Sequence, residues 1–157
     1  MATALATPPS VTDTGILLQA GTNEVEVLVF ETGGQRFGVN VAKVREVLVL
    51  DTVTTVPMSH KAIEGVVRIR KDVVPLVDLN TFLFGEGEAT EVLPANAKKG
   101  RCLLLLEFSE QRIAFRVERV DRIRRVSWKA TSPAPRVGGN MSGAVTSILR
   151  LDDGLIP

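Results

Sequence analysis

The chain has one cysteine, one histidine and no tyrosine among its 157 residues, and its charges nearly cancel. A lone cysteine, Cys102, excludes an internal disulfide and fits a reducing compartment. With His60 it leaves too few ligands for structural zinc, which takes about four. A Cys–His nucleophile pair is the one catalytic arrangement these two could form, and nothing in the sequence orients it. Lys and Arg number 19 against 18 Asp and Glu, a formal net charge of +1. That balance lacks the basic excess of a general nucleic-acid or anionic-membrane binder. The longest run of large apolar residues, Leu103 to Leu106, is too short to span a bilayer. The first fifteen residues lack the basic-then-apolar order of a secretory signal. Gly33-Gly34 is not part of a phosphate-binding loop, since no Gly-x-Gly-x-x-Gly or Gly-Lys-Ser/Thr follows. These absences predict a soluble, cytoplasmic protein that is not an enzyme and needs no metal or cofactor.

What is present is β-structure. Residues 1–12, small, polar and Pro-containing, read as a disordered tail, and Asp13 or Thr14 could cap a brief helix at Ile16 to Leu18. Glu24 to Phe30 alternates as a strand, Gly33-Gly34 turns it, and Arg36 to Val41 returns with Phe37, Val39 and Val41 inward. The alternation breaks at Ala42 to Val44 and resumes at Glu46 to Leu50, with a short strand at Thr52 to Val56. Gly65 to Leu79 (GVVRIRKDVVPLVDL) reads as an apolar hairpin with a charged elbow at Arg70 to Asp72. Pro75 has no N–H and so argues for a sheet edge or bulge there. Asp78 is a buried acceptor or a turn-former, and Asn80 to Phe84 a helical turn. The stretch from 85 to 100, with solvated acids at Glu86, Glu88 and Glu91, joins two halves. Strands follow at Arg101 to Phe108, Gln111 to Val117, Val120 to Val126 and Ala144 to Leu151, with Ser132 to Gly143 as loop.

The halves repeat. Phe37, Val39, Val41, Val44 and Val47 match Ile113, Phe115, Val117, Val120 and Ile123 at a constant offset (113 − 37 = 76), and Gln35-Arg36 matches Gln111-Arg112. Gly65 to Val67 resembles Gly143 to Val145 at an offset of 78. The expected fold is mostly β: two small five-stranded barrels packed together, one over about 24–84 and one over about 101–157. The second hairpin has only Leu155 to Pro157 as its return, so a truncated last strand is expected.

Six arginines crowd the second half: Arg112, Arg116, Arg119, Arg122, Arg124 and Arg125. A basic β-barrel binding single-stranded nucleic acid is the alternative reading, but that use pairs arginines with aromatic platforms. Aromatics are 4% of the chain, and Phe37 and Phe115 fall on core faces. The plainer reading is a solvated face partnered locally by Glu118 and Asp121. Arg70 alone reads as an edge arginine with a nearby acid, and Trp128 as core or contact anchor.

Three motifs carry a resemblance: Phe37 to Val47 (FGVNVAKVREV), Ile63 to Arg70 (IEGVVRIR) and Val74 to Leu79 (VPLVDL). The chain resembles the CheW-like coupling domains of bacterial chemotaxis over roughly residues 24–157. Gly15 to Glu24 (GILLQAGTNE) and Val120 to Trp128 (VDRIRRVSW) are similar to the CheV subtype, in which a receiver domain follows the coupling domain. The resemblance implies two SH3-like five-strand subdomains without catalytic activity. It implies an adaptor between the cytoplasmic tips of methyl-accepting chemoreceptors and the regulatory domain of the histidine kinase CheA, at membrane-associated receptor arrays. The family positions implicated in those contacts are Val44, Glu46, Gly65, Arg70 and Val120. The family usually has Arg-Gly at the elbow where this chain has Arg70-Lys71; lysine would be strained at positive φ.

Overall fold

The computed structural model describes residues 23–50, 52–57, 60–85, 102–135 and 144–157. The expected tail, the helix at Ile16 to Leu18 and nearly all of the joining stretch lie outside the described residues. The chain forms β1 (Glu24–Thr32), β2 (Gln35–Asn40), β3 (Val44–Val49), β4 (Ile63–Ile69), β5 (Asp72–Asp78), α1 (Leu79–Phe84), β6 (Cys102–Phe108), β7 (Gln111–Val117), β8 (Arg119–Ser127), β9 (Thr131–Pro133), β10 (Ser147–Leu151) and β11 (Gly154–Ile156). The break at Ala42 is a 3-10 turn, Val41–Lys43, capped by the Asn40 side chain accepting from the Ala42 N–H. Two segments differ from expectation. Thr54 makes only an isolated bridge to Val66, and part of the stretch expected as loop is strand β9.

The sheets do not follow the sequence halves. A five-stranded sheet runs β3-β6-β7-β5-β4, and two three-stranded sheets run β2-β1-β8 and β11-β10-β9. So β3 leaves the first half to pair with β6, and β8 leaves the second half to pair with β1. A subdomain boundary drawn at residues 85–100 therefore cuts through both β units. The ladders are open sheets rather than closed barrels, but the five-stranded one curls until its edges meet: Glu46 of β3 binds Arg70 beyond β4. Pro75 is not at an edge, since β5 lies between β7 and β4; it sits one residue before the parallel ladder to β7 opens at Leu76.

This exchange puts β1 and β6 between cores, which is why both are apolar on two faces. Leu28 and Phe30 of β1 join Leu104 and Leu106 of β6, with Phe37, Leu79, Leu83 and Val117, in a central core. The opposite face of β6 gives Leu103 and Leu105 to a core with Val67, Val74, Leu76 and Ala114. The opposite face of β1 gives Val25, Val27 and Val29 to a third core with Val126, Leu149 and Ile156. Trp128 packs on that third core.

The offset of 76 holds at atomic detail. β2 and β7 open at Gln35 and Gln111, and β3 and β8 carry a bulge at matching places, between Val44 and Glu46 and between Val120 and Ile123. The closing hairpins obey a different spacing: Ile69 pairs Asp72 and Leu151 pairs Gly154, an offset of 82 (151 − 69 = 82) rather than 78. The alignment on Gly65 and Gly143 is thus four residues out of step at the turn. The equivalent buried positions are Val67 with Leu149 and Val74 with Ile156.

α1 follows β5 directly. The Asp78 side chain caps it, accepting from the Asn80 N–H at 3.2 Å and from the Thr81 hydroxyl at 2.9 Å. Gly85, at φ 80°, ends it with an N–H to the Thr81 carbonyl. Leu79 and Leu83, one turn apart, enter the central core. No helix among the described residues is long and apolar enough to cross a membrane.

Candidate functional site

Four of the five sequence-predicted positions stand on β3, β4 and the β4–β5 turn, and the fifth on β8. Gly65 is buried in β4 with φ 152°. Its N–H/C=O neighbours are locked by the bridge to Thr54: Thr54 N–H to the Val66 carbonyl and Val66 N–H to the Thr54 carbonyl, both 2.9 Å. A Cβ at 65 would fall far inside contact distance of the Thr54 carbonyl oxygen. This glycine is required by the close approach of segment 52–57, whatever else it does.

Arg70 is the first residue of a two-residue turn and has φ 57°. Lys71 is not at positive φ. The departure at the elbow therefore does not strain Lys71; the left-handed residue is Arg70 itself, the pattern of a II′ hairpin turn. Arg70 is 77% exposed and its guanidinium donates to the Glu46 carboxylate at 3.0 Å. The structure thus brings Glu46 and Arg70 together, across the gap between the sheet's edge strands. Arg68 donates to the Arg70 carbonyl at 3.3 Å and steadies the turn.

Val44 and Val120 are equivalents in the repeat. Both are half-buried and pack on the central core, each beside its strand's bulge. Val44 is opposite Leu106 and Val120 opposite Phe30. Bulges re-aim side chains and interrupt pairing.

Sequence reasoning missed the matching arrangement at the second hairpin. Asp153, in its turn, binds Arg36 of β2 at 2.6 Å and Arg124 of β8 at 2.9 Å. The Arg36 hydrogen bond holds the Asp153 carboxyl below the usual carboxylate range, and Asp153 raises Arg36 in return. Each hairpin tip is thus tied by an ion pair to a bulged crossing strand, Arg70 to β3 and Asp153 to β8, with the signs reversed. Arg36 and the turn residues Asp152-Asp153 are plain in the sequence; the crossing of β8 that brings Arg124 to them is not.

The basic run is neutralised. Arg112 binds Asp72 and Glu107, Arg116 binds Glu64, Arg119 binds Glu31, Arg122 binds Asp121, Arg124 binds Asp153 and Arg125 binds Glu26. Arg119–Glu31 and Arg125–Glu26 are direct cross-strand partners in the β1–β8 ladder. Asp121 plays its expected part; Glu118 instead accepts from the Gly33 N–H at 2.9 Å and, at 3.5 Å, the Gly34 N–H. All six arginines of the run thus have acidic partners among the described residues. His60 Nδ1 accepts from the Ala62 N–H at 3.2 Å, and Cys102 packs on the central core. Among the described residues no group of three His, Cys, Asp or Glu side chains could hold a metal ion.

Comparison with known proteins follows the same lines. The profile of the CheW-like domain matches residues 26–157. The chain is 30% identical over 121 residues to the chemotaxis protein CheV3 of Helicobacter pylori, an alignment covering 71% of this chain and 37% of that protein. It is 27% identical over 140 residues to CheV2 of the same organism, covering 83% and 45%. The chain therefore spans less than half the length of these two relatives. Among solved structures, the scaffolding protein TtCheW from Thermoanaerobacter tengcongensis superposes with a TM-score of 0.68 at 22% identity, covering 84% of this chain and 86% of that one. With the family profile spanning nearly all of the described strands, the chain belongs to the CheW-like domain family.

Proposed function

We propose that this domain is a non-enzymatic adaptor of bacterial chemotaxis, coupling the cytoplasmic tips of chemoreceptors to the regulatory domain of the kinase CheA at receptor arrays in the cytoplasm. The CheV subtype is the finer reading, supported by the two Helicobacter relatives. The observation that carries the proposal is the family match joined to the exposed Arg70–Glu46 pair on a curled, rigid sheet. In this reading Arg70 fixes the partner's orientation and Glu46 holds Arg70 in its turn. Gly65 lets segment 52–57 close on β4, while the half-exposed edges of Val44 and Val120 offer apolar contact to a helix laid across them.

An exposed ion pair of this kind contributes about 1 kcal/mol or less to stability. Arg70→Ala is therefore expected to fold as the parent does while failing to recruit CheA to receptor-containing membranes. A variant that folds and couples as well as the parent would remove Arg70 from the partner surface.

A further inference from the structure

Beside the β5–β7 ladder and the exposed Arg112–Asp72 pair, an enclosed ion pair joins the hairpin bearing Gly65 and Arg70 to the other half of the chain. Glu64 of β4 and Arg116 of β7 meet at 2.8 Å, with side chains only 15% and 12% exposed. The other ion pairs described above are at least 28% exposed on each side. Strand β5 lies between β4 and β7, so this pair reaches over a strand. Glu64 can do so because it is the extra residue of β4. The ladder steps from Ile63–Val77 to Gly65–Leu76 and leaves Glu64 without a cross-strand position. A bulge turns such a side chain away from the regular alternation. On the other side, Arg116 is set opposite Asp78, the residue that caps α1.

An enclosed pair of this kind adds little net stability, because the loss of hydration offsets most of the attraction. Glu64 directly precedes the glycine whose φ of 152° closes β4 on segment 52–57, and β4 runs from there to Arg70. We infer that the Glu64–Arg116 pair is the positioning element of the partner surface: it sets the rotation of β4 at its bulge and thereby the place of the Arg70 turn relative to the second half. The inference rests on the reading of Arg70 as a partner contact. Its residues are positioning residues, not contacts.

The test uses the whole chain, isotopically labelled, with Glu64→Met and Arg116→Met combined, an apolar pair of similar length that keeps the fold stable where a buried ion pair is replaced. Amide exchange from Gly65 to Lys71 is expected to quicken about tenfold, and affinity for receptor-containing membranes to fall about tenfold, while the melting temperature stays near the parent's. Arg116→Lys, which keeps the charge on a differently shaped head group, is expected to lie between. Parental exchange rates at Gly65 to Lys71 in the double variant would overturn the inference. Should the double variant not fold, the same exchange measured in Arg116→Lys decides, unchanged rates again overturning it. Arg70→Ala separates the two readings. If it leaves affinity unchanged, the partner surface is misplaced, while the exchange data still judge the positioning role.

Discussion

The β1–β2 and β6–β7 turns occupy equivalent places in the two halves, and they keep the same backbone for different reasons. Gly33 and Gly34 have φ 60° and 72°; Ser109 and Glu110 have φ 46° and 71°. All four follow the I′ path that suits the twist of a hairpin. The first turn is packed at Gly33, where a Cβ would meet the Phe84 ring at 2.6 Å, and open at Gly34, where it would meet nothing within 4 Å; Glu118 from the other half accepts from both N–H groups. The second turn is exposed and carries side chains in a conformation that costs an L-residue about 1–2 kcal/mol. At Gly33 glycine is needed because space is short; at Ser109 and Glu110, which face solvent, the same backbone strain is tolerated.

The largest expected effect separates room from dihedral preference. Gly65→Ala places Cβ against a backbone oxygen that is itself held in a two-way bridge. Nothing flexible can give way, so a loss of about 4 kcal/mol or more is expected, among the largest single-residue effects. Gly33→Ala meets the far end of a phenylalanine ring and the Asn80 side chain instead. A smaller loss is expected, about 1–2 kcal/mol from its positive φ together with the cost of moving those two side chains aside. Denaturant titration of both variants checks the order; equal losses would mean that dihedral preference alone governs both glycines.

A second contrast lies beside the central core. β7 has β5 parallel to it, with Leu76, Val77 and Asp78 opposite Ala114, Phe115 and Arg116. The equivalent edge of β2 comprises Gly38, Val39 and Asn40. There the Gly38 N–H donates to the Pro157 carbonyl at 2.8 Å, and Asn40 Nδ2 has no partner among the described residues. A cavity of about 520 Å³ opens beside it, lined in part by Phe37, Val39, Leu83 and Leu149.

Much of this was legible because strands announce themselves. The alternation at Glu24 to Phe30 and the constant spacing from Phe37 to Ile123 placed the repeat and the break at Ala42 correctly. Partner choice between strands was not legible. β3 and β8 carry the same pattern whichever half they join, since Val44 and Val120 face the same central core. The Glu46–Arg70 pair and the Asp153 network exist only through those crossings, so the residues were visible and their meeting was not. The glycine usual in the family at the second elbow position predicts a positive φ at Lys71. The positive φ belongs to Arg70, one residue earlier.

Exchanging turn chemistry between the halves gives a smaller effect of opposite sign. Glu110→Gly removes one strained residue at an exposed site. Glycine's greater freedom in the unfolded chain returns part of the gain, roughly 0.5–1 kcal/mol. A net stabilisation of about 0.5 kcal/mol is expected by thermal melting, whereas the reverse change, Gly34→Glu, is expected to destabilise. A loss of stability in Glu110→Gly would show that the Glu110 side chain itself holds the turn.

The smallest effect concerns acid. Two carboxylates among the described residues are held below their ordinary range by an arginine hydrogen bond: Glu107 by Arg45 in the five-stranded sheet, Asp153 by Arg36 at the second hairpin. A carboxylate whose folded pKa is depressed stabilises the fold above its unfolded pKa, about 4, and that contribution fades as pH falls through the lower folded value. Both groups are near water, so salt screens them. They differ in what they join. Glu107 lies within one sheet, between β3 and β7. Asp153 ties the β10–β11 hairpin to β2 and β8 of another sheet. Lowering pH from 6 to 3 at low salt is therefore expected to reduce amide protection, taken relative to the intrinsic exchange rate at each pH, in β10 before β6. Asp153→Asn should show the reduced β10 protection already at pH 6, with little further change on acidification. Glu107→Gln should leave β10 at the parental rate throughout. If β6 and β10 loosen together in the parent, the hairpin is held by the apolar contacts of Leu149 and Ile156, and its ion pairs are incidental to its anchorage.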